Sequence, residues 1–149
     1  IADSQIHSDL IPVGAADMIL AVEPMEALRY VPYLKREGYM VVNETPVDNM
    51  SGYPPIADVY AEIDRLPHVV RLNADEVARS CQAPRAMNIA LLGAASWHLS
   101  ALSPDALRTA IKEYFQPKGE DVVNKNIAVY DRARALCSQR EITTETDAQ

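Results

Sequence analysis

Asp17-Met-Ile-Leu-Ala-Val22 runs straight into Glu23-Pro24 and then into Met25, Leu28, Tyr30, Val31 and Leu34, and this stretch decides the fold. The opening apolar run has the length of a strand. Pro24 suits a first helical turn, where the N–H it lacks would have no partner in any case. Apolar residues spaced by three and four then predict a helix, which Pro32 should kink or split in two. Lys35-Arg36 in its last turn and Gly38 just beyond predict where that helix closes. Tyr39-Met-Val-Val42 reads as a second strand ending at Asn43.

The same alternation continues outward. A polar, proline-rich connection from Thr45-Pro46 to Pro54-Pro55 leads to a helix over Ile56–Leu66, with Ile56, Val59, Tyr60 and Ile63 on one face. Val69-Val-Arg-Leu72 is a third strand, after which Asn73 or Asp75 can cap a short helix over Glu76–Ser80. Strands alternating with helices imply a parallel sheet with right-handed crossovers. From Arg85 the chain reads as helical throughout. Met87–Leu99 is apolar on nearly every face and should be buried, with Gly93 marking a close neighbour. Ser103-Pro104-Asp105 starts a helix whose inner stripe is Leu107, Ala110, Ile111, Tyr114 and Phe115, and Lys118-Gly119 breaks it. A last helix from Asp121 to Cys137 carries Val123, Asn126, Ile127, Tyr130, Ala133 and Cys137 on one face. The fold class expected is α/β, a three-layer sandwich with a mainly parallel sheet and a helical C-terminal half. Residues 1–137 form one domain portion, and 138–149, almost devoid of apolar residues, form a flexible tail.

Composition narrows the function. Fourteen Lys and Arg against twenty-one Asp and Glu give 149 residues a net charge of −7, and no stretch concentrates the cations. That argues against a nucleic-acid or anionic-membrane surface, which needs clustered positive charge. The longest apolar run, Ile89–Trp97, is about half of what a membrane span requires, so a soluble protein is expected. Cys81 and Cys137 are the only cysteines. They cannot supply the four thiolates of an iron–sulfur cluster or structural zinc, and their scarcity favours free thiols in a reducing cytoplasm. His7, His68 and His98 lack metal-ligand spacing. His98, flanked by Trp97 and Leu99, reads as a core histidine.

In parallel α/β sheets ligands bind beyond the carboxyl ends of the strands. All three strands end there in polar residues, at Glu23, at Asn43-Glu44-Thr45 and at Asn73. Helix N-termini at that edge favour an anionic group. Each of these residues taken singly also suits a cap or a turn. Asn124 and Asn126 could face a ligand or partner, or bond locally to backbone. No GxGxxG, P-loop or GxSxG motif occurs, and no serine or cysteine stands beside a base. Nothing in the sequence carries a reaction by itself.

Several blocks nevertheless occur in a familiar order. They are His7-Ser-Asp-Leu-Ile-Pro12, the strand Ala16–Ala21, Glu23-Pro-Met-Glu-Ala-Leu-Arg-Tyr30, Val41-Val-Asn43, Arg85-Ala-Met-Asn-Ile-Ala-Leu-Leu-Gly93, and Val123-Asn124 with Asn126. Together, over residues 6 to about 137, they resemble the γ-type domain of 2-oxoacid:ferredoxin oxidoreductases, most of all the β subunit of indolepyruvate oxidoreductase. The resemblance implies a subunit of a complex that oxidatively decarboxylates a 2-oxoacid such as indolepyruvate or pyruvate to an acyl-coenzyme A and passes electrons to ferredoxin. It implies no cofactor on this chain, with thiamine diphosphate and the iron–sulfur clusters on a larger partner subunit and coenzyme A as co-substrate. Glu23, Glu26, Arg29 and Asn43 are then the edge residues that contact a ligand or the partner, with Arg29 also able to pair with Glu26. No catalytic or metal residue is assigned.

Family members of this kind open with a strand and a Gly-x-Gly-Gly-Gln-Gly loop, which would lie upstream of Ile1. A chain starting at Ile1 is therefore expected to be processed or a fragment, inactive alone, and to expose a sheet edge. Two other readings stand beside the oxidoreductase subunit. One is a non-catalytic assembly subunit of such a complex. The other is an independent nucleotide-binding α/β domain at the strand edge, weakened by the lack of a glycine-rich loop.

Overall fold

The computed structural model describes residue 8, residues 10–47 and residues 52–146, with side chains as far as Ser138. The expected opening block is therefore only partly covered, since Ile6, His7 and Asp9 lie outside the described residues, as do residues 147–149 of the expected tail. Three strands, β1 (Ala16–Ala21), β2 (Leu34–Asn43) and β3 (Val69–Leu72), pair in the order β1-β2-β3, both pairs parallel. Among the described residues six α-helices connect and cover them: α1 (Pro24–Tyr30), α2 (Ile56–Ile63), α3 (Ala74–Ser80), α4 (Met87–Ala95), α5 (Pro104–Phe115) and α6 (Glu120–Thr146).

Side chains alternate across β2, and this alternation builds the layers. Met40 and Val42 turn to one face, where they pack with Ile19, Ala27, Val59 and Ile63 beneath α1 and α2. Val41 turns to the other, into a larger core with Leu72, Leu91, Ile111, Val129 and Tyr130 from β3 and helices α4 to α6. The result is the expected three-layer α/β sandwich with its helical half on one face.

Pro32 splits the first helical segment as expected, leaving α1 followed by a 3-10 turn over Val31–Tyr33. The helix does not reach Lys35-Arg36, however. These residues belong to β2, and Gly38 is not a helix cap. Between the paired positions Ala16–Leu34 and Met18–Tyr39, Lys35, Arg36, Glu37 and Gly38 stand opposite Asp17 alone. Lys35 bonds Asp17 across the irregularity. A Cβ on Gly38 would lie 2.7 Å from Leu34 Cδ1 and 3.1 Å from the Ala16 carbonyl oxygen, so a side chain in this crowded bulge would have to displace Leu34.

Helix ends follow local chemistry. Asn73 Oδ1 accepts from Glu76 N–H at 3.0 Å and Ser103 Oγ from Ala106 N–H at 3.1 Å. At the end of α3, Gln82 N–H bonds the Arg79 carbonyl and Ala83 N–H that of Ala78, the paired closure of a Schellman motif. Gln82 holds φ +56° at the position where glycine is favoured. Gln82→Gly is accordingly expected to raise stability by about 0.5–1 kcal/mol, read as a higher urea midpoint. An unchanged or lower midpoint would contradict strain at this turn.

Three features of the helical half depart from expectation. Helix α4 stops at Ala95 rather than Leu99, and just beyond it Ser96 Oγ bonds back to the Gly93 carbonyl at 2.6 Å. His98 therefore lies beyond the helix, half-buried and stacked on Tyr39 at 3.7 Å, not in a helical core. On α5 only Leu107 and Ile111 are buried and Phe115 partly so, while Ala110 and Tyr114 face solvent. Helix α6 continues to Thr146, since no glycine or proline interrupts it after Cys137. Arg108 ties α5 to α6 through Asp131 at 2.8 Å. Trp97 Nε1 donates to the Arg134 carbonyl at 2.9 Å, and the Arg134 guanidinium lies 3.8 Å over the indole.

Candidate functional site at the strand ends

Because Ala21 pairs with Val42 and Asn43 with Leu72, the carboxyl ends of the three strands lie side by side. Glu23, Asn43 and Asn73 thus share one edge, as the sequence implies. What they do there differs. Glu23 and Asn43 are buried, 7% and 2% exposed, while Asn73 is half-buried.

Glu23 caps α1. Its Oε2 accepts from Glu26 N–H at 2.7 Å and its Oε1 from the Tyr53 hydroxyl at 2.5 Å. A carboxylate at a helix N-terminus is favoured by the helix dipole, and two donors offset its burial. Asn43 is bonded three ways. Its Nδ2 donates to the Val22 carbonyl at 3.3 Å and to Asp75 Oδ2 at 3.0 Å, and its Oδ1 accepts from Ala74 N–H at 3.1 Å. One side chain therefore pins the end of β1 to the start of α3. Asn73, not Asp75, caps α3, and Asp75 turns toward Asn43 instead.

Glu26 and Arg29 are the outward members of the group. They form an i,i+3 ion pair at 2.9 Å, with side chains 46% and 57% exposed. Glu26 borders an apolar groove of about 630 Å³ along the edge of β1 that pairs with no strand among the described residues, beside Leu20, Val22, Tyr30 and Tyr33.

Tyr53 escaped the sequence reading, because it lies in the proline-rich connection where no periodicity marks it. Burial, reinforced by the Glu23 carboxylate, pushes its hydroxyl up to about 12. The folded chain thus holds this proton more tightly than the unfolded one, whose phenol titrates near 10. The contribution is complete below about pH 10 and lost as pH rises toward 12. Tyr53→Phe is expected to shrink the fall in urea midpoint between those values, and an identical fall in both proteins would contradict the Tyr53–Glu23 contact. Tyr60 is a second silent member. Its hydroxyl bonds the Glu44 carbonyl, and Arg71 lies 4.5 Å over its ring.

Elsewhere, Asn126 is buried with its Nδ2 on the Val122 carbonyl at 2.8 Å, the local bond weighed above, while Asn124 is exposed. Cys81 is a half-buried free thiol, and Cys137 is buried. Among the described residues no three His, Cys, Asp or Glu side chains gather in a way that could hold a metal ion, so these residues do not fit an iron–sulfur cluster. No helix of the described residues is long and apolar enough to cross a membrane.

Residues 1–136 match the family described as pyruvate ferredoxin/flavodoxin oxidoreductase. The chain belongs to this family. Among its relatives, indolepyruvate oxidoreductase subunit IorB of Methanothermobacter thermautotrophicus is 32% identical over 99 residues, 62% of this chain and 50% of the relative. The protein of the same description from Thermococcus kodakarensis is 29% identical over 127 residues, 78% of this chain and 62% of the relative. The chain thus spans half to two thirds of the length of these relatives. A solved 2-oxoglutarate:ferredoxin oxidoreductase from Magnetococcus marinus, with 2-oxoglutarate, coenzyme A and succinyl-CoA bound, is similar with a TM-score of 0.58 and 19% identity, over 89% of this chain and 22% of that one. That likeness concerns the fold.

Proposed function

We propose that the chain is part of a subunit of a thiamine-dependent, indolepyruvate-type 2-oxoacid:ferredoxin oxidoreductase, which oxidatively decarboxylates a 2-oxoacid to an acyl-coenzyme A and delivers electrons to ferredoxin. The observation that carries this reading is the family match along residues 1–136. Thiamine diphosphate and the iron–sulfur clusters belong to a larger partner subunit, with coenzyme A as co-substrate, in the cytoplasm. No step of the chemistry runs through a group on this chain. Its contribution is positioning, since a correctly held surface lowers the cost of bringing reactants together.

Within that role the strand-end group divides by exposure. Glu26 and Arg29 reach outward and meet the partner or a ligand, while Glu23 and Asn43 contact the same edge from below and hold its shape. Co-expression of the complete subunit with the thiamine-binding chain tests this. Both are expected to co-purify, and Arg29→Glu is expected to weaken their association on size-exclusion chromatography. A complete subunit that elutes alone beside a fully active partner would overturn the proposal.

The internal bonding of Glu23 and Asn43 favours a second reading, a non-catalytic assembly subunit of the same complex. It predicts that Glu23→Gln lowers the yield of complex but leaves turnover per assembled complex unchanged. A selective loss of rate would exclude it.

A further inference from the structure

Helix α1 carries the outward pair Glu26 and Arg29, so the direction in which that pair points depends on what holds the helix. Seven residues close too few hydrogen bonds to fix a helix alone, and its geometry comes from its contacts. Met25, Ala27 and Leu28 pack onto the core beneath α1, but apolar packing is non-directional and leaves rotation about the helix axis loosely set. The directional bonds lie at the first turn. We propose that Tyr53 is a positioning residue for Arg29: by holding Glu23 in its cap it sets the rotation of α1, and with it the direction in which the Glu26–Arg29 pair meets the thiamine-binding subunit. This inference rests on the oxidoreductase-subunit reading above.

The contacts run without a gap from the connection to the surface. Tyr53 donates its hydroxyl to Glu23 Oε1 at 2.5 Å, Glu23 Oε2 accepts from Glu26 N–H at 2.7 Å, and Glu26 Oε1 pairs with Arg29 Nη1 at 2.9 Å. The two oxygens of Glu23 therefore have separate partners, one in the proline-rich connection and one in the helix. A charged acceptor makes the bond from Tyr53 one of the stronger kind. Asn43 fixes the preceding Val22 carbonyl from the sheet side at 3.3 Å, but it does not reach the helix turn. Among the described residues Tyr53 is the one side chain from elsewhere in the chain that hydrogen-bonds to the cap.

Tyr53 is itself well placed to act as a fixed point. Its ring is half-buried and packs onto the core under α1 and α2. Pro54 follows it directly, which restricts the Tyr53 backbone to extended conformations. Burial and the neighbouring carboxylate keep the hydroxyl protonated through the neutral range, so it remains a donor there.

The association of the complete subunit with the thiamine-binding chain tests the inference, measured by calorimetry for the parent, Tyr53→Phe, Arg29→Ala and the double variant. Phenylalanine keeps the ring in the core and removes only the hydroxyl. Tyr53→Phe is expected to weaken association by about tenfold when Arg29 is present and by less than about twofold when Arg29 is alanine, because nothing is then left to position. Amide exchange of the complete subunit alone gives a second readout. The Glu26 N–H is expected to exchange about tenfold faster in Tyr53→Phe than in the parent, although Glu23, its acceptor, is still present. An equal loss of association with and without Arg29 would mean that Tyr53 acts through stability alone and overturns the inference, as does undiminished association of Tyr53→Phe or an unchanged Glu26 exchange rate. A parent subunit that does not bind the thiamine-binding chain overturns the oxidoreductase-subunit reading and the inference with it, whereas the other outcomes leave that reading intact.

Discussion

Gly93→Ala is expected to destabilise the chain by about 2 kcal/mol or more, although alanine is the better helix former by about 1 kcal/mol. The reason is the contact between α4 and α6. A Cβ on Gly93 would run into the Tyr130 carbonyl oxygen and would lie 3.1 Å from Ala133 Cβ. The obstacle is backbone and cannot rotate away. Helix α4 cannot retreat either, because Ala90 and Ala94 are fully buried in the same core and the sheet lies behind them. Ala133→Gly should therefore fail to rescue Gly93→Ala, since it removes the methyl group but not the carbonyl. Urea unfolding of the two variants and their combination checks this. A Gly93→Ala protein as stable as the parent would mean that the two helices do not meet at this distance.

Asn43→Ala is expected to cost about 3 kcal/mol, because it leaves the buried Ala74 N–H without its acceptor and withdraws a donor from Asp75. Asn43→Asp is the more revealing change. Its shape is conserved, yet a carboxylate replaces the amide that stands 3.0 Å from Asp75 Oδ2. Two carboxylates so close cannot both ionise cheaply, so one is held protonated above the ordinary range. The folded variant then binds a proton that the unfolded chain releases, and its stability is expected to rise as pH falls toward 4 and to drop again above it. Unfolding midpoints of parent and variant compared at acid and neutral pH give the sign. A variant with the parent's pH profile would show that Asn43 does not bridge to Asp75.

How much of this was legible in the sequence depended on the range of the interaction. The caps of Glu23, Asn73 and Ser103 rest on neighbours three residues away, and the sequence implies them directly. The strand reading of Leu34–Gly38 was hidden by a local coincidence. Lys35-Arg36 followed by Gly38 fits the close of a helix, whereas the pairing with β1 that makes these residues a strand lies far away in sequence. The strand-end residues could be named but not their partners. Asn43 reaches Asp75 thirty-two residues on, and Tyr53 reaches Glu23 across thirty.

The most direct test of the functional account is 2-oxoacid-dependent reduction of a viologen dye by the complete subunit co-expressed with its thiamine-binding partner. Indolepyruvate, pyruvate and 2-oxoglutarate would be compared, each with and without coenzyme A. The account predicts coenzyme A-dependent reduction that requires both chains and is fastest with indolepyruvate. No reduction by an assembled, cofactor-loaded complex, or full reduction by the partner alone, would contradict it.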